Sequence, residues 1–463
     1  MADRLTDSYN RMQQTMDKPA TRDSLGREDL EGLVKLALDE ARKRGVDQAE
    51  VAASHDIGLA ATARLGDVEN LEYTNDRGIG ITVYKNSRKG SASTSDISSQ
   101  AIGEAVAKAC TFAEVTASDP HAGLADADLM CTDIKDLRLD HPWEVEAADA
   151  IAIAIETEAA ALQFDKRVSN SEGATVSRNR GSRAYGNTHG FLGSYSRTSH
   201  NITCVVLAES DGVMQRDYHY TASRDPVDLW DPATVGETAA RRAVNRLGAR
   251  KIKTTRAPVL YVPEIARGFI AHAIGAIAGG AQYRRSSFLL DAAGEKIFPA
   301  FVNIQERPHL EKGMASAPYD AEGVATYDRD IVTDGVLQGY ILSSYSARRL
   351  GLTTTANAGG AQNLIVPGCG KDLDSLTKEM GTGFLVEELI GHGVNGVTGD
   401  YSRGAVGHWV ENGEIQYPVH EVTIAGNLRE LYQRIVAIGS DQDTRGGIRC
   451  GSILVAEMTI AGS

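Results

Sequence analysis

Three dipeptides, Asp211-Gly212, Asp334-Gly335 and Asn412-Gly413, constrain the fold of this chain most strongly. Each lies between strand-like runs: CVVLAE and MQRDYHY around the first, IVTDGVLQGYIL around the second, GHWVENGEIQY around the third. An Asp-Gly or Asn-Gly pair supplies the two positive φ angles of a type I′ turn, whose twist matches that of the strands it joins. An antiparallel sheet is therefore expected in both halves of the chain.

Helices are expected between these strands. Leu30, Leu33, Val34, Ala37 and Ala41 recur at helical spacing after Glu28, with Lys43 and Arg44 in the last turn and Gly45 beyond it. Ile102, Val106, Cys110 and Ala113 form a second stripe, residues 144–162 a third helix without Gly or Pro, and residues 235–247 a fourth. Between the first two helices the runs EVAAS, GLAATARL, ENLEYT and GIGITVY read as four consecutive strands, followed by the basic, Ser/Gly-rich NSRKGSASTS. The fold class is α+β, a two-part fold with antiparallel sheets and packed helices in each half. Residues 1–23 lack periodicity and read as a loose arm. Residues 24–250 form an amino-terminal domain, with subdomains at about 28–117 and 141–248 joined by a polar, Asp-rich connection. After the basic stretch from Arg250 to Arg256, residues 254–463 form the carboxy-terminal domain.

Composition narrows the function classes. With 48 basic and 62 acidic residues the net charge is −14, which opposes non-specific attraction to nucleic acid, so no direct nucleic-acid contact is expected. No apolar run approaches the roughly 18 residues a membrane span needs, and the polar amino terminus shows no export signal. A cytoplasmic protein is expected. The five cysteines are widely spaced, with no CxxC pair, and read as reduced structural thiols.

The segment FIAHAIGAIAGGAQYRRSSFLLD, from Phe269 to Asp291, begins as a helix of unusual chemistry. Ile265, Phe269, Ile270, Ile274 and Ile277 mark one apolar side, while Gly268, Ala271, Gly275 and Ala278 leave another nearly flat. A flat face permits either close backbone packing in a core or a wall bordering a cavity. A metalloprotease helix needs two imidazoles on one face and a carboxylate beside the first. Here His272 stands alone, and the simpler account of it is a hydrogen-bonded structural histidine. No two of the eleven histidines form HxxH or HxxxH, and His420-Glu421 lies in a strand-like run. No GxSxG elbow, GxxxxGK loop or dinucleotide fingerprint is present. No catalytic and no metal-ligating residue is expected in this chain. Arg284, Arg285, Tyr345, Arg348 and Arg349, with Asp400, Tyr401 and Arg403 of GDYSRG, could line a polar substrate groove or interface, or the arginines could pair with the excess acids.

HAIGAIAGGAQYRRSSFLLD, SSYSARRLGLTTTANAGG, GDYSRGAVGHWVENGEIQYPVHEVTIAGN, GITVYKNSRKGSASTSD and the terminal CGSILVAEMTIAGS together resemble the TldD/PmbA family, in its PmbA (TldE) branch. These runs are spread over nearly the whole chain. In the TldD branch the helix carries HExxxH, from which this sequence departs. Aligned on the shared Arg-Arg-Ser-Ser stretch, the first histidine falls at Ile270 or Ala271, the glutamate at Ala271 or His272, and the second histidine at Gly275 or Ala276. The branch's carboxy-terminal cysteine ligand maps nearer Gly439 or Ser440 than Cys450. The resemblance implies a heterodimer with a TldD-like subunit that holds zinc and cleaves unfolded peptides, such as peptide-antibiotic leaders or antitoxins. This chain would bind no cofactor and would complete the walls of the chamber. Two alternatives are a self-associating, non-enzymatic peptide chaperone or regulator of the kind linked to DNA gyrase modulation, and an autonomous hydrolase without a metal.

Overall fold

The computed structural model describes residues 25–462; the arm expected over residues 1–23 lies outside them. Two compact units emerge. One takes the chain up to Ser118, Asp140–Ala208 and Arg216–Ala243; the other takes Asp119–Leu139, Glu209–Gln215 and the chain from Val244 onward.

In the first unit the helix Arg27–Lys43 buries Leu30, Val34, Ala37, Leu38 and Ala41, the stripe its periodicity marks. The helices Ser99–Val115, Ala147–Phe164 and Pro232–Asn245 follow. A six-stranded sheet runs in the order Arg88–Thr94, Asp67–Lys85, Gln48–Arg64, Val168–Asn187, Leu192–Ser210, Val213–Ser223. Val51, Ile79, Ile81 and Val83 alternate onto the face covered by the first two helices and bury against Val106 and Ala109. Alternation of this kind leaves the other residues of each strand on the opposite face.

The four short strands expected here are two long ones. EVAAS and all of GLAATARL but its final Leu65 lie within the 17-residue strand Gln48–Arg64, and ENLEYT and GIGITVY within the 19-residue strand Asp67–Lys85. Gly58 does not break its strand. A Cβ there would lie 2.3 Å from Asn179 Oδ1, so the glycine admits a neighbouring side chain across the sheet. The connecting turn is Leu65-Gly66, with φ of 51° and 80°. Its two amides donate to the buried Glu158 carboxylate, each at 2.9 Å, which holds a leucine in a conformation it would otherwise avoid. Asn86-Ser87, at φ 52° and 58°, makes the next turn and sends the basic run into a strand.

In the second unit, strands Glu414–Asn427, Asp400–Glu411, Gly383–Ile390, Thr255–Tyr261, Ile453–Ala461 and Ile435–Ile438 lie in that order. Thr423–Ala425 also pair with Thr459–Ala461, closing five of these strands on themselves. Closure removes free edges that would otherwise need protection. Gly383–Ile390 runs parallel to Thr255–Tyr261, while the other pairs in this sheet are antiparallel. The three expected turns are present, with φ of 53° and 78° at Asp211-Gly212, 50° and 79° at Asp334-Gly335, and 54° and 77° at Asn412-Gly413. The Asp-rich stretch read as a connection is folded into this unit. Cys131 N donates to Gly323 O at 2.9 Å, and Arg348 donates to the carbonyls of Gly123 and Leu124. All five cysteines are free thiols, and burial pushes that of Cys204 up to about 12. No described helix is long and apolar enough to cross a membrane.

Candidate functional site

The helix Pro263–Ala276 positions the site. Pro263 at its first position is preset for the helical φ, and Glu264 complements the amino-terminal dipole. Its inner face buries Ala266, Phe269, Ile270 and Ala273, while Ala276, the last residue of the helix, is buried at the margin between core and cavity. Phe269 stacks on Tyr261 with ring centres 5.2 Å apart and meets Tyr432 edge-on at 5.0 Å; Tyr432 OH donates to Phe269 O at 3.0 Å. The helix end is fastened from below. Ser287 Oγ and Gln282 Nε2 both donate to Ala276 O at 2.7 Å, so the chain turns sharply into the short helix Gly279–Tyr283.

The amino-terminal end is held by charge. Arg445 Nη2 reaches Glu264 at 2.7 Å, Arg445 Nε reaches Asp443 at 2.9 Å, and Arg267 Nη1 reaches Asp443 at 3.2 Å. The Asp443 side chain is only 2% exposed. Burial works against the Arg445 charge, but the two carboxylates outweigh it and raise its pKa. This network, which clamps the loop after Ile438 to the helix, was not singled out from the sequence. The i, i+3 pair Glu264 and Arg267 and the nearby Asp443 and Arg445 were its available signal.

On its outer side the helix borders a cavity of about 380 Å³, lined by Ala271, His272, Gly275 and Ala276 together with Ser286, Phe288, His392, Val394, Gly396 and Arg403. Among the described residues nothing lies within 4 Å of a Cβ built on Gly275 or Gly268, so the flat face is not a seat for another of their backbones. Ile270, by contrast, is fully buried in the core. The opposite wall is the loop 391–399. Its geometry requires glycine at Gly393, where a Cβ would meet Ser402 O at 1.8 Å, and Phe288 N donates to Gly396 O at 3.0 Å to tie loop and helix segment together.

His272 makes no side-chain hydrogen bond among the described residues, which corrects its reading as a hydrogen-bonded structural histidine. Its ring meets Tyr401 edge-on at 6.1 Å. Burial lowers its pKa, and Arg403 lowers it further, so the imidazole is neutral at neutral pH. It can donate one hydrogen bond and accept another but carries no charge there. Among the described residues no group of three or more His, Cys, Asp or Glu is placed to hold a metal ion. Cys450 is fully buried, and burial raises its thiol pKa.

The other expected groove residues do not converge. Arg403 lines the cavity, but Tyr401, two residues away on the same strand face, is 1% exposed and belongs to the aromatic core beside Phe269. Asp400 accepts from Thr398 Oγ1 at 2.6 Å and serves its own turn. Arg348 pins the 123–126 segment, with Asp126 at 2.9 Å. Arg284 and Arg349 flank the Tyr283 ring at 5.3 and 5.1 Å, Tyr345 meets that ring edge-on and donates to Asp119 at 2.7 Å, and Arg285 pairs with Asp291. These form a separate surface cluster. His392 was missed because a loop more than a hundred residues from the helix supplies the far wall, and Ser286 and Phe288, although inside the quoted run, lie beyond the helix and carry no spacing signal that turns them toward it.

Comparison with known proteins places this architecture. Residues 49–113, 140–247 and 254–462 match, in turn, domain 1, the central domain and the C-terminal domain of the PmbA/TldA metallopeptidases. The chain is 50% identical to metalloprotease PmbA of Escherichia coli O157:H7 over 94% of its own length and 96% of that protein. It is 45% identical to a PmbA homologue of Haemophilus influenzae, over 94% and 97%. Among solved structures, a protein of Bacteroides thetaiotaomicron described as a candidate modulator of DNA gyrase superposes with a TM-score of 0.90 at 26% identity, covering 95% of this chain and all of that one. TldE from Thermococcus kodakarensis shares the fold, with a TM-score of 0.79 at 19% identity over 93% and 99%. With all three domains matched in order and half of the aligned residues identical to a relative covered almost end to end, this chain belongs to the PmbA/TldD metallopeptidase family.

Proposed function

We propose that this chain is the zinc-free subunit of a two-subunit peptidase, pairing with a TldD-like subunit that supplies the metal and the glutamate base while this chain forms part of the wall of the peptide chamber. The observation that carries the reading is the outward face of the helix Pro263–Ala276. Of the two alignments with HExxxH, only the one on Ala271, His272 and Ala276 puts all three positions at the cavity, since Ile270 is core. On that face a methyl group, a neutral imidazole and a second methyl group stand where two imidazoles and a carboxylate would be needed. A lone imidazole cannot complete a zinc site or lower the pKa of a bound water.

The chemistry of this chain is then recognition. An unfolded peptide would be held through its backbone, which gives low side-chain specificity, and the cavity would receive one of its groups. Localisation in the cytoplasm and peptide processing follow from the same reading. Co-expression with a TldD-like subunit is expected to yield a one-to-one complex on size-exclusion chromatography with light scattering. A chain that stays a homodimer in the presence of that subunit would favour the self-associating chaperone instead.

A further inference from the structure

Arg403 reaches the cavity from the strand Asp400–Glu411, half-buried. Its one side-chain hydrogen bond among the described residues runs from Nε to Ile390 O at 3.4 Å, near the limit of a useful contact. Neither Nη atom has a carboxylate partner among the described residues. In the same unit Arg329 is matched with Glu306 at 2.7 Å and Arg445 with Asp443 and Glu264, whereas Arg449, away from the cavity lining, shares with Arg403 the lack of a carboxylate partner among the described residues. Asp400, close in sequence, is engaged with Thr398. Among the described residues the ionisable groups lining the cavity are Arg403, His272 and His392, and no acid lines it, in a chain whose net charge is −14. A guanidinium held partly out of water without a counter-charge is costly, and the cost is relieved when an anion arrives. The planar fork of arginine matches a carboxylate in two parallel hydrogen bonds. Phe288 and Val394 add an apolar side to the same space.

We propose that this cavity is a carboxylate subsite, in which the Arg403 fork receives a carboxylate of a bound peptide while Phe288 and Val394 contact the neighbouring apolar atoms. The inference rests on the peptide-chamber reading and adds to it an electrostatic preference: acidic or free-ended peptides over neutral ones. The carboxylate is either the carboxy terminus of the peptide or an Asp or Glu side chain.

Fluorescence anisotropy with the full chain, alone and in its complex with a TldD-like subunit, separates these cases. Three versions of one labelled, unstructured peptide are needed: a free carboxy terminus, a carboxy-terminal amide, and the amide with one internal glutamate. At least one acidic version is expected to bind about tenfold or more tightly than the plain amide, the scale of a charge-assisted pair. Whichever version gains identifies the source of the carboxylate. Arg403→Gln is expected to abolish the difference between the acidic versions and the amide, and Arg403→Lys to restore part of that difference by charge without the fork. Arg42→Gln, at an exposed position on the helix Arg27–Lys43 of the other unit, is the control for general charge. Equal binding of all three peptides, or a preference that persists in Arg403→Gln, would overturn the subsite and leave the peptide chamber standing. Binding of none of them, by chain or complex, would overturn both.

Discussion

Replacing Asp443 by alanine is expected to destabilise the carboxy-terminal unit by about 3–5 kcal/mol, because it removes the buried carboxylate that Arg267 and Arg445 share and leaves Glu264 to offset the Arg445 charge. Asp443 is almost wholly removed from water and touches both, so solvent cannot replace it as it would at the surface. The fluorescence of Trp409 during denaturation, with Trp143 and Trp230 changed to Phe, would follow this unit specifically, since the other two tryptophans belong to the first unit. Asp291→Ala is the matched control. Its pair with Arg285 is about 70% exposed on both sides, where such pairs contribute roughly 0–1 kcal/mol. A loss at Asp443 no larger than at Asp291 would mean that the clamp on the site helix is not a structural element.

Gly275→Leu is expected to lower peptide cleavage by the two-subunit complex on the order of 10²-fold, the scale of substrate misplacement by about 1 Å. The isolated chain should melt at an unchanged or slightly higher temperature. The new side chain meets nothing within 4 Å of its Cβ and enters the cavity, while loss of a helical glycine removes a penalty of about 1 kcal/mol. Earlier melting of the isolated chain would mean that the face is packed after all. Unchanged melting with unchanged cleavage would remove this cavity from the chamber.

The turns and helices were legible because they rest on local chemistry. Asp-Gly and Asn-Gly pairs demand positive φ wherever they occur, and the stripe from Leu30 to Ala41 buries the residues its spacing marks. What escaped the sequence was set at long range. Gly58 looks like a strand breaker until Asn179 is seen lying over it, and Leu65-Gly66 is not a turn signature until Glu158, about ninety residues on, accepts both amides. At the site, the flat face of the helix was visible as Gly and Ala at helical spacing, but core packing and a cavity wall have the same pattern. Only the placement of loop 391–399 decides between them. Tyr401 was misjudged by its polar neighbours, for the strand face that it shares with Arg403 passes from aromatic core to cavity within two residues.

The most direct test of the account is to measure zinc content and peptide cleavage for this chain alone, a TldD-like subunit alone and their equimolar mixture, after dialysis against a metal-free buffer. The account predicts no tightly held zinc and no cleavage for this chain, and in the mixture about one zinc per pair, with cleavage that is abolished by chelation. Near-stoichiometric zinc in the isolated chain that is lost in His272→Ala, or cleavage by the isolated chain, would contradict it.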